Sequence, residues 1–226
     1  MTPENMLTNI PLFQGLAPED RERLQQSLKR RSIAKGEVLF QKDTEGTTLY
    51  VIVTGKIKIA LPSSLGEEMV LAVFSEGDFF GEMALLDGMP RSADAVALEE
   101  GELLALEQAD FMAFLQNNPA AIQSVLRSLS LRLRKTDDLL QDTCFLNVSG
   151  RLAKKLTQLA EEHGKEEDNR ATFELSLTQT DLARMVSASR ESVNKELRML
   201  REKGLVTVEG RNFTIHNMER LKRRIK

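Results

Sequence analysis

The sequence predicts an α+β fold with an N-terminal antiparallel β jelly roll, a long helix and a C-terminal winged helix-turn-helix. Glycines recur about every ten residues between Gly36 and Gly101 and separate short apolar stretches, as in an all-β domain. From Pro119 onward, apolar residues recur at spacings of three and four without an internal Gly or Pro, which indicates a long helix. Residues 147–226 then show helical and strand patterns in the order of a winged helix-turn-helix.

Composition excludes several classes of protein. Apolar residues make up 41% and charged residues 29% of the 226-residue chain, and no apolar run approaches the roughly 18 residues needed to cross a bilayer. The first residues lack the basic and apolar regions of a signal peptide, so we expect a cytoplasmic protein that does not engage a membrane. Cys144, His163 and His216 are the only Cys and His residues. One cysteine cannot form an intramolecular disulfide, and one cysteine with two histidines supplies too few ligands for a metal centre.

The first elements are predicted to be a short helix and a series of strands. Pro18 stands where the first helical residue is expected, and two acidic residues follow it in the turn where the helix dipole favours them. In the stretch 57–61, apolar residues alternate with Lys58 and Ala60, whereas residues 70–74 form a short buried-type run. Short strands with regular turns favour an antiparallel sandwich or barrel, and a jelly roll is the expected form.

The apolar stripe of the long helix is the expected dimerisation surface. It runs for roughly five turns, which is long for a helix that only caps a small barrel. Such a stripe can pair with its own copy in a symmetric dimer, and packing on the chain's own barrel is the alternative. Its members are Ile122, Val125, Leu129, Leu133, Thr136 and Leu140. The pattern breaks at Phe145–Gly150, which is therefore predicted to be a hinge.

The C-terminal segment differs from the remainder in charge. Residues 147–226 contain 17 Lys and Arg against 12 Asp and Glu, whereas residues 1–146 contain 14 against 22. A basic segment on an acidic body suggests a polyanionic partner. The predicted elements are a helix at Arg151–His163, an alternating stretch at 173–177, two further helices, and strands at Leu205–Val208 and Phe213–His216.

Residues 178–197 carry the strongest local signal. Thr178 and Asp181 form the N-cap pair of one helix, and Ser189 caps the next. Ala183 is small enough for a close helix crossing, whereas Ser187 stands where many such turns carry Gly. The exposed start of the second helix can enter the major groove, where Arg binds guanine and a carboxylate accepts from cytosine. An ordinary helical hairpin with a solvated charged face is the alternative. The expected DNA contacts are Thr178, Gln179, Thr180, Ser189, Arg190, Glu191, Asn194 and Lys195.

Several motifs occur together along essentially the whole chain: residues 10–13, 49–57, 80–86, 90–93, 145–151 and 189–193. As a set they resemble the cyclic-AMP receptor and fumarate–nitrate regulator family of bacterial transcription factors. The resemblance implies a cyclic-nucleotide-binding type of β-roll and a ligand-controlled homodimer. It also implies that the protein reads a pseudo-palindromic site on double-stranded DNA and contacts RNA polymerase.

The segment 81–92 has residues suited to the phosphate and ribose of a cyclic nucleotide. The Arg91 guanidinium can donate hydrogen bonds to two phosphate oxygens at once, and the Ser92 hydroxyl can add a third contact. Glu82 can accept from a ribose hydroxyl, Gly81 permits close backbone approach, and the helix start favours an anion. The alternative is a barrel turn that is retained without a ligand. The resemblance implies cyclic AMP as effector and a binding set of Gly81, Glu82, Met83, Ala84, Arg91 and Ser92.

By the same resemblance, Thr136 and Asp137 of the long helix are the pair that contacts the base. Thr136 matches the pattern of the cyclic-AMP-binding members, whereas Asp137 departs from the usual Ser or Asn. A solvated helix carboxylate is the alternative interpretation of Asp137.

Three domains are expected: an effector-binding β-roll domain at 1–117, a dimerisation helix with its hinge at 118–146, and a winged helix-turn-helix at 147–226. An enzyme is not expected, because the sequence has no P-loop, no Gly-x-Ser-x-Gly and no His near a plausible nucleophile. A redox or haem sensor on the same scaffold is an alternative, against which the single Cys144 argues. A regulator that needs no effector or senses another small molecule is a further alternative.

Overall fold

The structure is a computed structural model that describes residues 10–13, 18–64, 68–174 and 178–225. The chain forms two compact units, residues 1–134 and 135–226, and the division lies inside a long helix. Within the described ranges, no helix is long and apolar enough to span a membrane. The same ranges contain no group of three or more His, Cys, Asp or Glu residues placed to hold a metal ion.

The first unit contains an antiparallel β-roll, as the glycine spacing predicted. Two four-stranded sheets have the strand orders β1-β8-β3-β6 and β2-β7-β4-β5, and each pairing in them is antiparallel. The strands are β1 Lys29–Ile33, β2 Val38–Phe40, β3 Thr48–Thr54, β4 Ile57–Pro62, β5 Glu68–Phe74, β6 Phe79–Phe80, β7 Asp94–Ala97 and β8 Gly101–Glu107.

Apolar side chains from both sheets form the interior of the roll, with Tyr50, Ile52, Ile57, Phe80 and Leu103 among its buried members. Burying this surface stabilises the roll at about 25 cal/mol for each Å² removed from water. Helices flank the sheets, and α1 begins at the predicted proline. The helices are α1 Pro18–Ser27, α2 Glu82–Asp87 and α3 Gln108–Asn117, with a 3-10 turn at Pro11–Phe13.

The long helix, α4, spans Pro119–Phe145 and has 27 residues. Its apolar stripe divides between two surfaces. Val125 is buried and Leu129 partly buried against the apolar cluster of the first unit, as the barrel-packing alternative proposed. Leu133 and Leu140 of the stripe are each 63% exposed, and Leu126, which lies outside the predicted stripe, is 58% exposed and stands seven residues before Leu133. Helix α4 therefore keeps an exposed apolar seam after its first turns have packed on their own unit.

The connection after α4 is shorter than the predicted hinge. Helix α5 covers Val148–His163, and the side chain of Asn147 accepts a hydrogen bond of 2.9 Å from the Gly150 N–H. Because an Asn cap satisfies an end donor of the helix, Gly150 belongs to α5 and not to the hinge. Lys154 of α5 forms an ion pair of 2.7 Å with Asp142 of α4.

The second unit contains the winged helix-turn-helix. Its sheet has the strand order β11-β12-β10-β9, and its helices enclose one apolar core that includes Leu152, Leu182, Val193 and Phe213. The elements after α5 are β9 Lys165–Glu167, β10 Arg170–Glu174, α6 Gln179–Met185, α7 Arg190–Glu202, β11 Val206–Glu209, β12 Asn212–Ile215 and α8 Met218–Lys222.

One local feature of this unit differs from the sequence prediction, and one predicted strand is described only in part. The polar stretch 164–170 contains strand β9, which pairs with β10 around a turn where Asp168 and Asn169 adopt positive φ. Of the predicted strand of residues 173–177, Phe173 and Glu174 lie in β10, and positions 175–177 lie outside the described residues. Strand β9 was not predicted because its residues are all charged and show no alternation of apolar and polar positions; it forms by pairing with β10.

Candidate functional site

The segment between β6 and β7 brings the predicted phosphate-binding residues together. Gly81 has a φ of +83°, in the left-handed region that favours glycine. A Cβ at Gly81 would lie 2.6 Å from Nη1 of Arg91, and one at Gly46 would lie 2.2 Å from Nε of Arg91. Both glycines therefore give the Arg91 side chain the space that it occupies.

Arg91 is a buried cation, with 5% of its surface exposed. Its Nη1 donates to the Gly81 carbonyl at 2.6 Å and its Nη2 to the Thr48 carbonyl at 2.7 Å. The guanidinium lies 4.2 Å from the centre of the Phe40 ring. Its Nε is buried and has no hydrogen-bond partner within the described ranges.

Burial lowers the pKa of the Arg91 guanidinium below its ordinary value, while Tyr50 and Glu82 act in the opposite direction. No carboxylate of the described residues forms an ion pair with Arg91. Since an uncompensated buried charge is costly, the site is suited to an anion that supplies the missing countercharge.

Glu82 is a buried carboxylate with one oxygen still to be satisfied. It is 2% exposed, its Oε1 accepts from Nη1 of Arg132 at 2.6 Å, and its Oε2 has no hydrogen-bond partner among the described residues. An ionised carboxylate can only accept hydrogen bonds. The open Oε2 atom is therefore ready for a hydroxyl or N–H donor.

Arg132, which the sequence did not single out, links α4 to this segment. It donates to the Phe79 carbonyl as well as to Glu82, and its guanidinium lies 4.4 Å from the centre of the Phe74 ring and 5.0 Å from that of Phe79. Arg132 lies four residues before Thr136, so the two share a face of the helix. That spacing is the signal by which the sequence could have identified it.

The second predicted site lies on α6 and α7. Thr178 and Asp181 form a full capping box: the Thr178 hydroxyl accepts from the Asp181 N–H at 3.1 Å, and Asp181 Oδ2 accepts from the Thr178 N–H at 3.1 Å. The Ser189 hydroxyl accepts from the Ser192 N–H at 3.1 Å and caps α7. These caps satisfy end donors of both helices and confirm the predicted helix starts.

The outer face of α7 carries the predicted base-reading residues. Arg190, Glu191, Asn194 and Lys195 are all exposed in the first turns of the helix, while Val193 is buried beneath them. Gln179 at the start of α6 lines one groove together with Glu191, Asn194, Lys195, Leu197, Arg198 and Arg201.

Comparisons with known proteins identify the domains that contain the two candidate sites. Residues 30–118 match the cyclic nucleotide-binding domain, and residues 150–224 match the Crp-like helix-turn-helix domain. Over 221 residues, the sequence is 33% identical to the CRP-like cAMP-activated global transcriptional regulator of Mycobacterium tuberculosis, covering 98% of this chain and 99% of that protein. The chain belongs to the CRP/FNR family of transcription regulators.

One further relative agrees with this assignment, and one solved structure agrees with the fold. The cyclic AMP receptor protein of Thermus thermophilus is 34% identical over 210 residues, which cover 91% of this CRP/FNR regulator and 94% of the relative. The structure of the c-di-GMP responsive regulator CLP of Xanthomonas campestris has a TM-score of 0.78 and 24% sequence identity, and the match covers 89% of this chain and 100% of that one. The family consists of transcription regulators and not of enzymes.

The other predicted effector contacts of this CRP/FNR regulator have different surroundings. Ala84 is buried, whereas Met83 and Ser92 are exposed, and the Ser92 hydroxyl lies 3.5 Å from the Met83 sulfur. All three belong to the same segment as Arg91. Thr136 and Asp137 lie on exposed turns of α4 in the second unit, so their contact with a ligand stays a prediction.

The turn between α6 and α7 places a non-glycine residue in the left-handed region. Ser187 has a φ of +50°, and its buried hydroxyl has no hydrogen-bond partner among the described residues. We expect Ser187→Gly to raise the free energy of unfolding by about 0.5–1 kcal/mol, because relief of left-handed strain exceeds the entropy that Gly loses on folding. Chemical denaturation of both proteins measures the difference.

Ala188→Gly is the matched control for this prediction. Ala188 follows Ser187 in the turn and has no positive φ, so glycine there should only lower the stability. A loss of stability in Ser187→Gly that equals the loss in Ala188→Gly would show that the turn is not strained.

Proposed function

We propose that this regulator is a cytoplasmic homodimer that binds cyclic AMP in its β-roll and then binds a pseudo-palindromic DNA site. The single observation that carries the effector proposal is the buried pair of Arg91 and Glu82. One is a cation without a carboxylate partner and the other a carboxylate with an open oxygen. A phosphodiester anion next to a ribose hydroxyl supplies what each of them lacks. The relatives in Mycobacterium tuberculosis and Thermus thermophilus support cyclic AMP by their names.

The residues between β6 and β7 then have distinct roles. Arg91 and Ser92 bind the phosphate, and Glu82 accepts from the ribose, with Gly81, Met83 and Ala84 shaping the backbone around the sugar. Arg132 of helix α4 already donates a hydrogen bond to Glu82. A ligand that binds Glu82 would therefore act directly on a residue of α4.

The exposed seam of α4 supports dimerisation. Leu126, Leu133 and Leu140 repeat every seven residues, the spacing of a coiled-coil interface. We propose that a second copy of the chain covers them, with residues 1–117 as effector domain, 118–146 as dimerisation helix and hinge, and 147–226 as DNA-binding domain. A twofold dimer presents two recognition helices to half-sites about one turn of DNA apart, each resembling TGTGA. RNA polymerase is the proposed further partner.

Thr136 and Asp137 are proposed to contact the base, Thr136 within one subunit and Asp137 across the dimer. A ligand shifts an equilibrium only through different affinities for the two states. A base held between both α4 helices would stabilise the seam and re-orient the short connection around Asn147.

Asp137→Ala tests the proposed effector contact. An ionised carboxylate accepts from the adenine amino group and repels the guanine carbonyl oxygen. We expect the variant to narrow the preference for cyclic AMP over cyclic GMP roughly tenfold, since hydrogen bonds to charged groups contribute about 1.5–3 kcal/mol. Calorimetric titration of the full-length protein with both nucleotides measures the ratio.

Asp138→Ala is the matched control, because Asp138 is also exposed on α4. An unchanged ratio in Asp137→Ala would show that Asp137 is a solvated carboxylate. The same titration separates cyclic AMP from an effector of another class, because a protein that binds neither nucleotide is not the regulator proposed here.

A further inference from the structure

The groove on the recognition helix extends beyond the residues predicted to read bases. Its lining includes Lys195, Arg198 and Arg201, spaced three residues apart along α7, against one carboxylate, Glu191. All four are exposed. The groove therefore carries a positive charge that continues from the base-reading turns towards the end of the helix.

None of these three cations has a side-chain hydrogen bond or an ion pair with another described residue. The helix dipole accounts for a basic residue in the last turn, as Arg201 is, but not for Arg198 in the middle of α7. Their placement on one groove is better explained by an external anion than by the stability of the helix.

The length of α7 indicates which part of DNA meets the end of the groove. Each helical residue adds 1.5 Å, so Arg201 lies roughly 9 Å along the axis beyond Lys195, the last residue predicted to read bases. The major groove is about 8.5 Å deep. When the first turns of α7 reach base edges, a residue that far along the helix stands at the level of the sugar–phosphate backbone.

We propose that Arg201, with Arg198 beside it and Gln179 across the groove, binds DNA phosphates and fixes the depth at which α7 enters the major groove. The proposal rests on the DNA-binding function proposed above and assigns a new contact within it. Phosphate contacts set register and orientation but carry no sequence information. Arg201 therefore contributes affinity for any DNA, whereas Arg190 and Glu191 contribute the choice of sequence.

The salt dependence of DNA binding tests the assignment. Neutralising one phosphate contributes about 0.9 to the slope of log affinity against log salt concentration. In the full-length protein, Arg201→Ala should lower the magnitude of that slope by about 0.9 for each subunit bound. It should weaken binding to a TGTGA-type site and to random-sequence DNA by the same factor. Arg201→Lys should keep the slope of the original protein, because Lys is also a phosphate-binding cation.

Three comparisons make the outcomes distinct. Arg30→Ala removes the same charge from an exposed residue of the first unit and should leave the slope unchanged. If Arg201→Ala leaves the slope of log affinity against log salt concentration unchanged, with or without a lower melting temperature, Arg201 does not bind a phosphate. A loss of affinity that depends on the identity of one base pair would also contradict the phosphate contact. If the original protein shows no preference for its specific site, or Arg190→Ala leaves that preference intact, the proposed function fails instead.

Discussion

Arg91→Ala is expected to abolish measurable binding of cyclic AMP while the protein remains folded. The side chain is buried, is desolvated and has no carboxylate partner among the described residues, so a bound phosphate would be its countercharge. Breaking a buried ion pair by removing one partner costs about 3–5 kcal/mol. At about 1.4 kcal/mol for each factor of ten, the affinity should fall more than about 100-fold. Isothermal titration calorimetry on the full-length protein measures it.

Two controls accompany this prediction. Lys29→Ala removes an exposed cation of the same unit and should leave the affinity unchanged. Arg91→Lys keeps the charge but loses the fork that reaches the Gly81 and Thr48 carbonyls, so an intermediate affinity is expected. If Arg91→Ala binds cyclic AMP as tightly as the original protein, the pocket has been assigned to the wrong residues.

Arg190→Ala is expected to reduce affinity for the specific DNA site by about 1–3 kcal/mol and to relax discrimination at one base pair in each half-site. Arg190 is exposed in the first turn of α7, directly after the Ser189 cap. From this position a side chain can reach a guanine edge if the helix start enters the major groove. Binding measurements on a set of DNA sites with single base-pair changes give both the loss of affinity and the base pair at which discrimination is relaxed.

Lys195 provides an internal comparison for the same set of sites. Lys lacks the planar fork of Arg, so the base pair that it meets should be read less strictly than the one that meets Arg190. If Arg190→Ala weakens the binding of every DNA site in the set by the same factor, Arg190 does not read a base.

The sequence predicted those elements whose causes are local. Regular glycines marked the turns of the β-roll, and caps at Thr178, Asp181 and Ser189 marked both helices of the DNA-reading motif. Ser187 was noted only as an exception, and its φ of +50° explains why related turns favour glycine. Turns and helix caps can be predicted from a single sequence because the residues that form them are only a few positions apart.

Features that depend on distant partners could not be predicted in the same way. Arg132 and Glu82 are fifty residues apart in the chain, and only the fold brings them into contact. Strand β9 consists of charged residues and forms because β10 offers it a pairing edge. The sequence could not show which residues of the α4 stripe pack on the first unit and which stay exposed. The spacings of three and four residues continue without a break from Val125 and Leu129 to Leu133 and Leu140.

The proposed control of DNA binding by an effector is tested most directly by the affinity of this regulator for a pseudo-palindromic TGTGA-type site with and without cyclic AMP. At one fixed salt concentration, saturating cyclic AMP should tighten binding by about 5–150-fold, the range of a coupling free energy of 1–3 kcal/mol. Linkage requires the DNA to tighten cyclic AMP binding by the same factor. The same DNA affinity in the presence and absence of cyclic AMP would contradict the account.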